Sequence, residues 1–203
     1  MTVYRLLTRI VDRPGTGKTS TCVEAILQLL RAQPTARILA CAPSNSAADV
    51  IAARLLGALD ATQLYRFYAP SRRSTNVLPE LLACATRGED GAFTVPSKEH
   101  VVPFRVVVVT CGSASFAHGI RVPAGHFSHI FVDEAGQGSE PEAMVPIKTM
   151  ADAKTNVILS GDPKQLGPII RSAVARELGL GKSYLERMME RLVYDEVNGH
   201  GKT

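Results

Sequence analysis

Residues 6–32 read LLTRIVDRPGTGKTSTCVEAILQLLRA. A short apolar run, LLTRIV, meets a glycine-rich turn, and the turn opens directly into a stretch with Val23, Ile26, Leu27 and Leu30 on one stripe. That i, i+3, i+4, i+7 spacing belongs to a helix with one face against a sheet. Strand, glycine turn and helix in immediate succession form the opening unit of an α/β fold.

Further apolar runs repeat the pattern along the chain: ARILACA at 36–42, FRVVVVT at 104–110, HIFVDEA at 129–135 and NVILSGD at 156–162. Continuous apolar strands of this kind, as opposed to alternating ones, fit a parallel sheet buried on both faces. Helical patterns separate them: SNSAADVIAARLLGAL after the second run and SEPEAMVPIKTM after the fourth. The expected class is α/β, a doubly wound, mostly parallel sheet with helices on both faces. At 203 residues one such domain is expected, over 1–192, with 70–103 as an insertion carrying one short helix, VLPELLACA. SYLERMMERLVYD near the end reads as a helix, and 193–203 as a polar tail. GHGKT at 199–203 echoes the glycine turn but follows no strand, so it is read as coincidence.

Lysine and arginine exceed aspartate and glutamate by 23 to 19, with a pI near 9.0. This is a mild basic bias, compatible with nucleic acid but not sufficient to argue for it. Cys22, Cys41, Cys84 and Cys111 lack CxxC or other metal-ligand spacing, which suits structural thiols in a reducing compartment better than disulfides or zinc. The five histidines likewise show no ligand spacing. No apolar run approaches the roughly 18 residues a membrane span needs, so no membrane is expected.

The turn at 12–19, DRPGTGKT, has the context of a phosphate-binding loop. Backbone N–H groups of Gly15, Thr16 and Gly17 can converge on phosphate oxygens, Pro14 without an N–H lines the same cofactor-binding turn, and the helix N-terminus adds its positive end. Lys18 bridges the β and γ phosphates of ATP, the Thr19 hydroxyl ligates Mg2+, and Ser20 completes the loop. The full pattern has glycine where this chain has Asp12. A carboxylate there repels phosphate, although aspartate tolerates left-handed backbone better than most residues.

The run HIFVDEA ends in Asp133-Glu134, where a parallel strand delivers side chains to its carboxyl edge. Asp133 is expected to hold Mg2+ and Glu134 to polarise an attacking water as general base. An adjacent acid pair at a strand end is by itself more often just solvated. The phosphate loop on the same edge favours the catalytic reading.

DEAGQ at 133–137 and GDPKQLGP at 161–168 resemble motifs II and III of superfamily 1 helicases. With the phosphate loop as motif I, APSNSAAD at 42–49 as motif Ia and VVVTCGSAS at 107–115 as the next, five motifs stand in order. Within that superfamily the chain looks like the up-frameshift-type RNA helicases, and particularly the Armitage/Moloney-leukaemia-virus-ten group. GHFSHIFVDEAGQGSEPEAMVPI, VILSGDPKQLGPII and SYLERMMERL are similar to that group almost throughout, over roughly residues 12–192. The resemblance implies a RecA-like P-loop NTPase domain, the first motor domain of an ATP-dependent RNA helicase acting in RNA silencing or decay.

It also implies roles. Gln165 would sense the γ-phosphate and link it to nucleic-acid grip, and Gln137 would join motif II to motif III and to the second domain and contact nucleotide. Pro43, Ser44, Asn45 and Thr110 would meet the backbone of single-stranded RNA, which positions a strand without reading it. Ser44 or Asn45 would equally serve to cap a helix. Family members carry a second RecA-like domain whose arginines complete the ATP site, and an Argonaute-type ribonucleoprotein partner in the cytoplasm, in ribonucleoprotein granules, is implied. Without that second domain, hydrolysis by this chain alone is expected to be negligible. A truncated, catalytically silent nucleotide- or RNA-binding fragment is the alternative, and a DNA substrate is a third reading that the motifs leave open. Finally, LYRFYAPSRRS at 64–74 interleaves Arg66, Arg72 and Arg73 with Tyr65, Phe67 and Tyr68. It reads either as a stacking surface for nucleic acid or as a partly buried strand followed by a solvated loop.

Overall fold

The structure, a computed structural model, describes residues 6–11, 17–162 and 165–191. Asp12, Pro14, Gly15 and Thr16 of the expected phosphate loop lie outside the described residues, as does the tail 193–203.

Six strands form one sheet: β1 (Leu6–Val11), β2 (Ile38–Ala42), β3 (Leu64–Arg66), β4 (Val106–Thr110), β5 (His129–Val132) and β6 (Asn156–Gly161). Their order is β1-β6-β5-β2-β4-β3, and every pairing is parallel. Leu39, Cys41, Val107, Val109, Ile130, Val132, Val157 and Leu159 point to one face, and Ile38, Ala40, Ala42, Val106, Val108, Phe131 and Ile158 to the other. Both faces are therefore core, which explains why the strands read as unbroken apolar runs.

Helices α1 (Lys18–Ala32), α2 (Asn45–Leu56) and the single turn α3 (Pro79–Leu82) cover the second face. The first is covered by the single turns α4 (Lys98–Val101) and α5 (Phe116–Gly119), by α6 (Glu140–Met150) and, beyond the short turn α7 (Ala173–Ala175), by α8 (Tyr184–Met189). The α1 stripe buries Cys22, Val23, Ile26, Leu27 and Leu30. Its last carbonyls are not left bare: the Arg105 guanidinium donates to those of Leu30 and Gln33 at 3.0 Å each, satisfying groups that a helix end exposes. α6 starts with a capping box in which the Ser139 backbone N–H donates to the Glu142 carboxylate at 2.9 Å.

The 70–103 stretch carries two single α-helical turns, α3 and α4, where one short helix was expected. Beyond α3 and α4 it pairs Arg87 with Phe93 in an antiparallel bridge and closes the open side of β3, whose Arg66 N–H donates to the Cys84 carbonyl at 2.7 Å. The reading of 64–74 as a nucleic-acid stacking surface is overturned here. Tyr65, Arg66, Phe67 and Tyr68 are all buried, with Phe67 stacked on Phe116 and Tyr68 on Phe93. The strand alternative stands, with only the residues after Tyr68 reaching solvent. All four cysteines are buried and free, and no helix among the described residues is long and apolar enough to cross a membrane.

Candidate functional site

Parallel strands deliver every strand-to-helix turn to the same edge of the sheet, and five of those turns carry the residues singled out above. Lys18 opens α1 and is buried, half-buried Thr19 follows, and Gly17 before them sits at φ +84°, a left-handed conformation that glycine adopts without strain. β6 lies between β1 and β5, so the strand carrying the acid pair is one place removed from the strand feeding α1.

Asp133 is only 1% exposed. Its backbone N–H is held by the Cys41 carbonyl at 2.8 Å, but its Oδ1 has no hydrogen-bond partner among the described residues. A bare carboxylate oxygen in such a place costs several kcal/mol unless a cation or donor meets it. This is the donor a hard cation takes, so the site fits magnesium. Across from it lies α1: the Asp133 charge adds to burial in pushing up the Cys22 thiol.

Glu134 takes φ +52°, rare for a residue with a side chain. Strain of this kind collects at functional turns and costs on the order of 1–3 kcal/mol. Burial pushes the Glu134 carboxyl above its ordinary range, and the charges of Asp133 and Asp162 add to this. Lys18 and a hydrogen bond from Gln137 pull the other way. Lys18, Asp133, Glu134 and Asp162 are therefore one electrostatic cluster. The Gln137 Nε2 donates to Glu134 Oε2 at 3.0 Å, so Gln137 orients the adjacent acid. The turns of motifs II and III are also linked by backbone, the Ala135 N–H donating to the Ser160 carbonyl at 2.8 Å.

Gln165 donates to Asp162 Oδ2 at 3.4 Å; Pro163 and Lys164 beside it lie outside the described residues. Ser20, expected at the nucleotide, is exposed, and its Oγ accepts from Arg54 of α2 at 2.7 Å. Sequence reasoning overlooked Asp162 and Ser160. Both are buried, and the Ser160 hydroxyl is unpartnered among the described residues. GDPKQ was the signal for Asp162; a lone serine inside an apolar strand offered none.

Pro43, Ser44 and Asn45 follow β2, and Thr110 ends β4, side by side on the same edge because Ala42 is in register with Thr110. Ser44 caps α2, its Oγ accepting from the Ala47 N–H at 3.2 Å. It remains exposed, while Asn45 and Thr110 are half-buried. Among the described residues no group of three or more His, Cys, Asp or Glu side chains gathers as a metal site of its own.

The AAA domain family matches residues 4–89 and 94–173. The protein named mov-10-B.1 in Danio rerio is 48% identical over 179 residues, covering 87% of this chain and 18% of its own length. RNA helicase Mov10l1 of Homo sapiens is 44% identical over 183 residues, covering 89% of this chain and 14% of itself. The chain thus spans less than a fifth of these relatives. Among solved structures, a nuclease-deletion mutant of the Type ISP restriction-modification enzyme LlaGI in complex with a DNA substrate mimic aligns with TM-score 0.50 at 16% identity, over 82% of this chain and 17% of that one. At that identity the likeness speaks for the fold alone.

Proposed function

The chain belongs to the AAA domain family, with Mov10-type proteins as relatives, and from that premise we propose that it is the ATP-binding first motor domain of an ATP-dependent RNA helicase. The observation that carries the reading is the Asp133 carboxylate, buried, with Oδ1 unpartnered among the described residues, and grouped with Lys18 and Glu134 at the edge where a phosphate loop would end.

Lys18 would neutralise the outer phosphates, and Thr19 with Asp133 would hold magnesium, which would supply neutralisation of the phosphate charge. Glu134, its proton affinity raised by burial, accepts the proton of the attacking water. Gln137 fixes the direction of that carboxylate. Gln165, tethered to Asp162, reports the state of the γ-phosphate. Gly15, Thr16 and Gly17 would offer backbone donors to the phosphates, as the motif resemblance implies. Pro43, Ser44, Asn45 and Thr110 grip the RNA backbone without reading sequence. RNA is preferred to DNA because Mov10l1 is named an RNA helicase. The Armitage/Mov10 resemblance supports a cytoplasmic role in RNA silencing or decay beside an Argonaute-type ribonucleoprotein.

Arginines from a second RecA-like domain are worth about 10³–10⁵ in rate for such a transfer. The test is therefore complementation. The chain is mixed with the second RecA-like domain of a Mov10-type relative, and phosphate release is followed with and without single-stranded RNA. RNA-stimulated hydrolysis is expected only in the mixture and is abolished by Glu134→Gln. Hydrolysis that never exceeds background in any mixture assigns the chain to the silent, binding-only class.

A further inference from the structure

Arg66 is the largest fully buried side chain among the described residues, at 0% exposure in the edge strand β3. Every direction of its guanidinium is occupied. Nε donates to Asp49 Oδ1 at 2.9 Å, with Nη2 2.8 Å from the same oxygen; Nη1 donates to the Phe67 carbonyl at 2.6 Å; and the Tyr68 ring lies 4.1 Å beneath it. Tyr68 closes the circuit by donating its hydroxyl to Asp49 Oδ1 at 2.8 Å. A buried ion pair is not by itself a source of stability, since desolvation offsets the attraction. Such networks do specify one geometry.

The geometry specified here is that of Asn45. Arg66 Nη2 donates to Asn45 Oδ1 at 3.0 Å, and a guanidinium has donors only. The amide must therefore present its oxygen inward, which leaves its two N–H donors for the other side. Donors are what a phosphate or ribose oxygen accepts, whereas a flipped amide would offer the RNA a repelling oxygen. We infer that Arg66, with Asp49 and Tyr68 holding it in place, is a positioning residue for nucleic-acid binding that locks the Asn45 amide with its donors toward the RNA strand. This rests on the proposed contact between Asn45 and RNA.

Arg66→Lys keeps a cation for Asp49, but a single ammonium cannot serve Asp49, the Phe67 carbonyl and Asn45 together. The experiment measures affinity of the whole chain for a single-stranded RNA oligonucleotide by fluorescence anisotropy, and for a magnesium-ATP analogue by calorimetry. It uses the parent, Arg66→Lys, Asn45→Ala and the double variant. Arg66→Lys is expected to weaken RNA binding roughly fivefold, the size of one net hydrogen bond, to leave nucleotide affinity unchanged, and to add nothing in the Asn45→Ala background. Equal losses in both backgrounds, or none in the parent, overturn the inference while leaving the Asn45 contact intact. No RNA loss in Asn45→Ala alone removes the contact itself, and the inference with it. If Arg66→Lys fails to fold, Asn45→Asp decides. It keeps an acceptor for Arg66 and turns a carboxylate oxygen toward the RNA, so it should melt at or above the parent yet bind RNA more weakly than Asn45→Ala. An Asn45→Asp chain that binds RNA as well as Asn45→Ala overturns the inference.

Discussion

The carbonyl of Asp162 occupies the space that a side chain on Gly136 would need: a Cβ at position 136 would stand 2.6 Å from that oxygen. The reverse approach is nearly as tight, since a Cβ on Gly161 would come within 3.0 Å of the Gly136 nitrogen and of Leu185 Cδ2. The turn after the acid pair and the turn after β6 thus rest backbone on backbone, with α8 pressed against them. Under the proposed function, this close seat would let a displacement at one turn reach the other and so couple hydrolysis to grip.

Gly136→Ala tests this contact. The obstacle is backbone, which cannot swing aside, so the substitution should cost about 1–3 kcal/mol, the usual range for overpacking. Gly112→Ala is the control, because nothing lies within 4 Å of the added carbon; its change should stay within about 0.5 kcal/mol. Urea unfolding followed by circular dichroism reads both, and equal midpoints for the two variants would disprove the tight seat.

Glu134→Gln keeps the size and the contact with Gln137 but removes the base. Hydrolysis in the presence of the second motor domain is expected to drop by about 10²–10⁴, with analogue affinity within a factor of two or so of the parent, since a general base contributes to the transition state and little to ground-state binding. Single-turnover phosphate release separates the two. A variant that loses binding in proportion to rate would make Glu134 a binding group instead.

The same carboxyl gives a pH dependence whose sign is fixed. Glu134 must be ionised to accept a proton, and burial with Asp133 and Asp162 raises its proton affinity. Hydrolysis should therefore rise with pH through a midpoint above the ordinary glutamate value of 4.5. Gln137→Ala removes a hydrogen bond that favours the charged form, so it should move that midpoint upward; Asp162→Asn removes a neighbouring negative charge and should move it downward. A rate profile in which the two variants shift the same way would contradict the assignment.

Much of this was readable in advance, and the failures have a common cause. α1 and β2 could be placed because their signals are local, an apolar stripe and an unbroken apolar run. β3 is three residues long and carries an arginine whose burial makes sense only beside Asp49, 17 positions earlier. The 70–103 stretch has little core of its own and takes its shape from packing on the β3 edge, so no periodicity betrayed it. That the acid pair, Lys18, Ser44 and Thr110 would meet on one edge of the sheet was legible from motif order. The partner of the Ser20 hydroxyl was not legible, because motif membership does not say which way a hydroxyl turns on a helix, and here Arg54 donates to it.

Two histidines bear on acid stability. Burial lowers the proton affinity of His129, and burial together with the charges of Arg37 and Lys98 lowers that of His126. Both are thus held neutral in the fold. An unfolded chain takes up these protons near pH 6.5, the folded chain only at lower pH. Their contribution is fully present above about pH 6.5 and is lost as pH falls below it. Chemical unfolding at a series of pH values should show a falling midpoint in that window, reduced in His126→Phe, whose larger ring carries no charge; a slope unchanged by that substitution would clear His126 of the effect.

The most direct test of the central claim is calorimetric titration of the chain with the magnesium complex of a non-hydrolysable ATP analogue, beside Lys18→Ala. Under the proposed function hydrolysis waits on a second motor domain, whereas binding needs only the edge that joins Lys18, Thr19 and Asp133. Micromolar affinity that disappears in Lys18→Ala is the predicted result. A parent chain that folds yet takes up no nucleotide, or a Lys18→Ala chain that binds as well as the parent, would contradict the account.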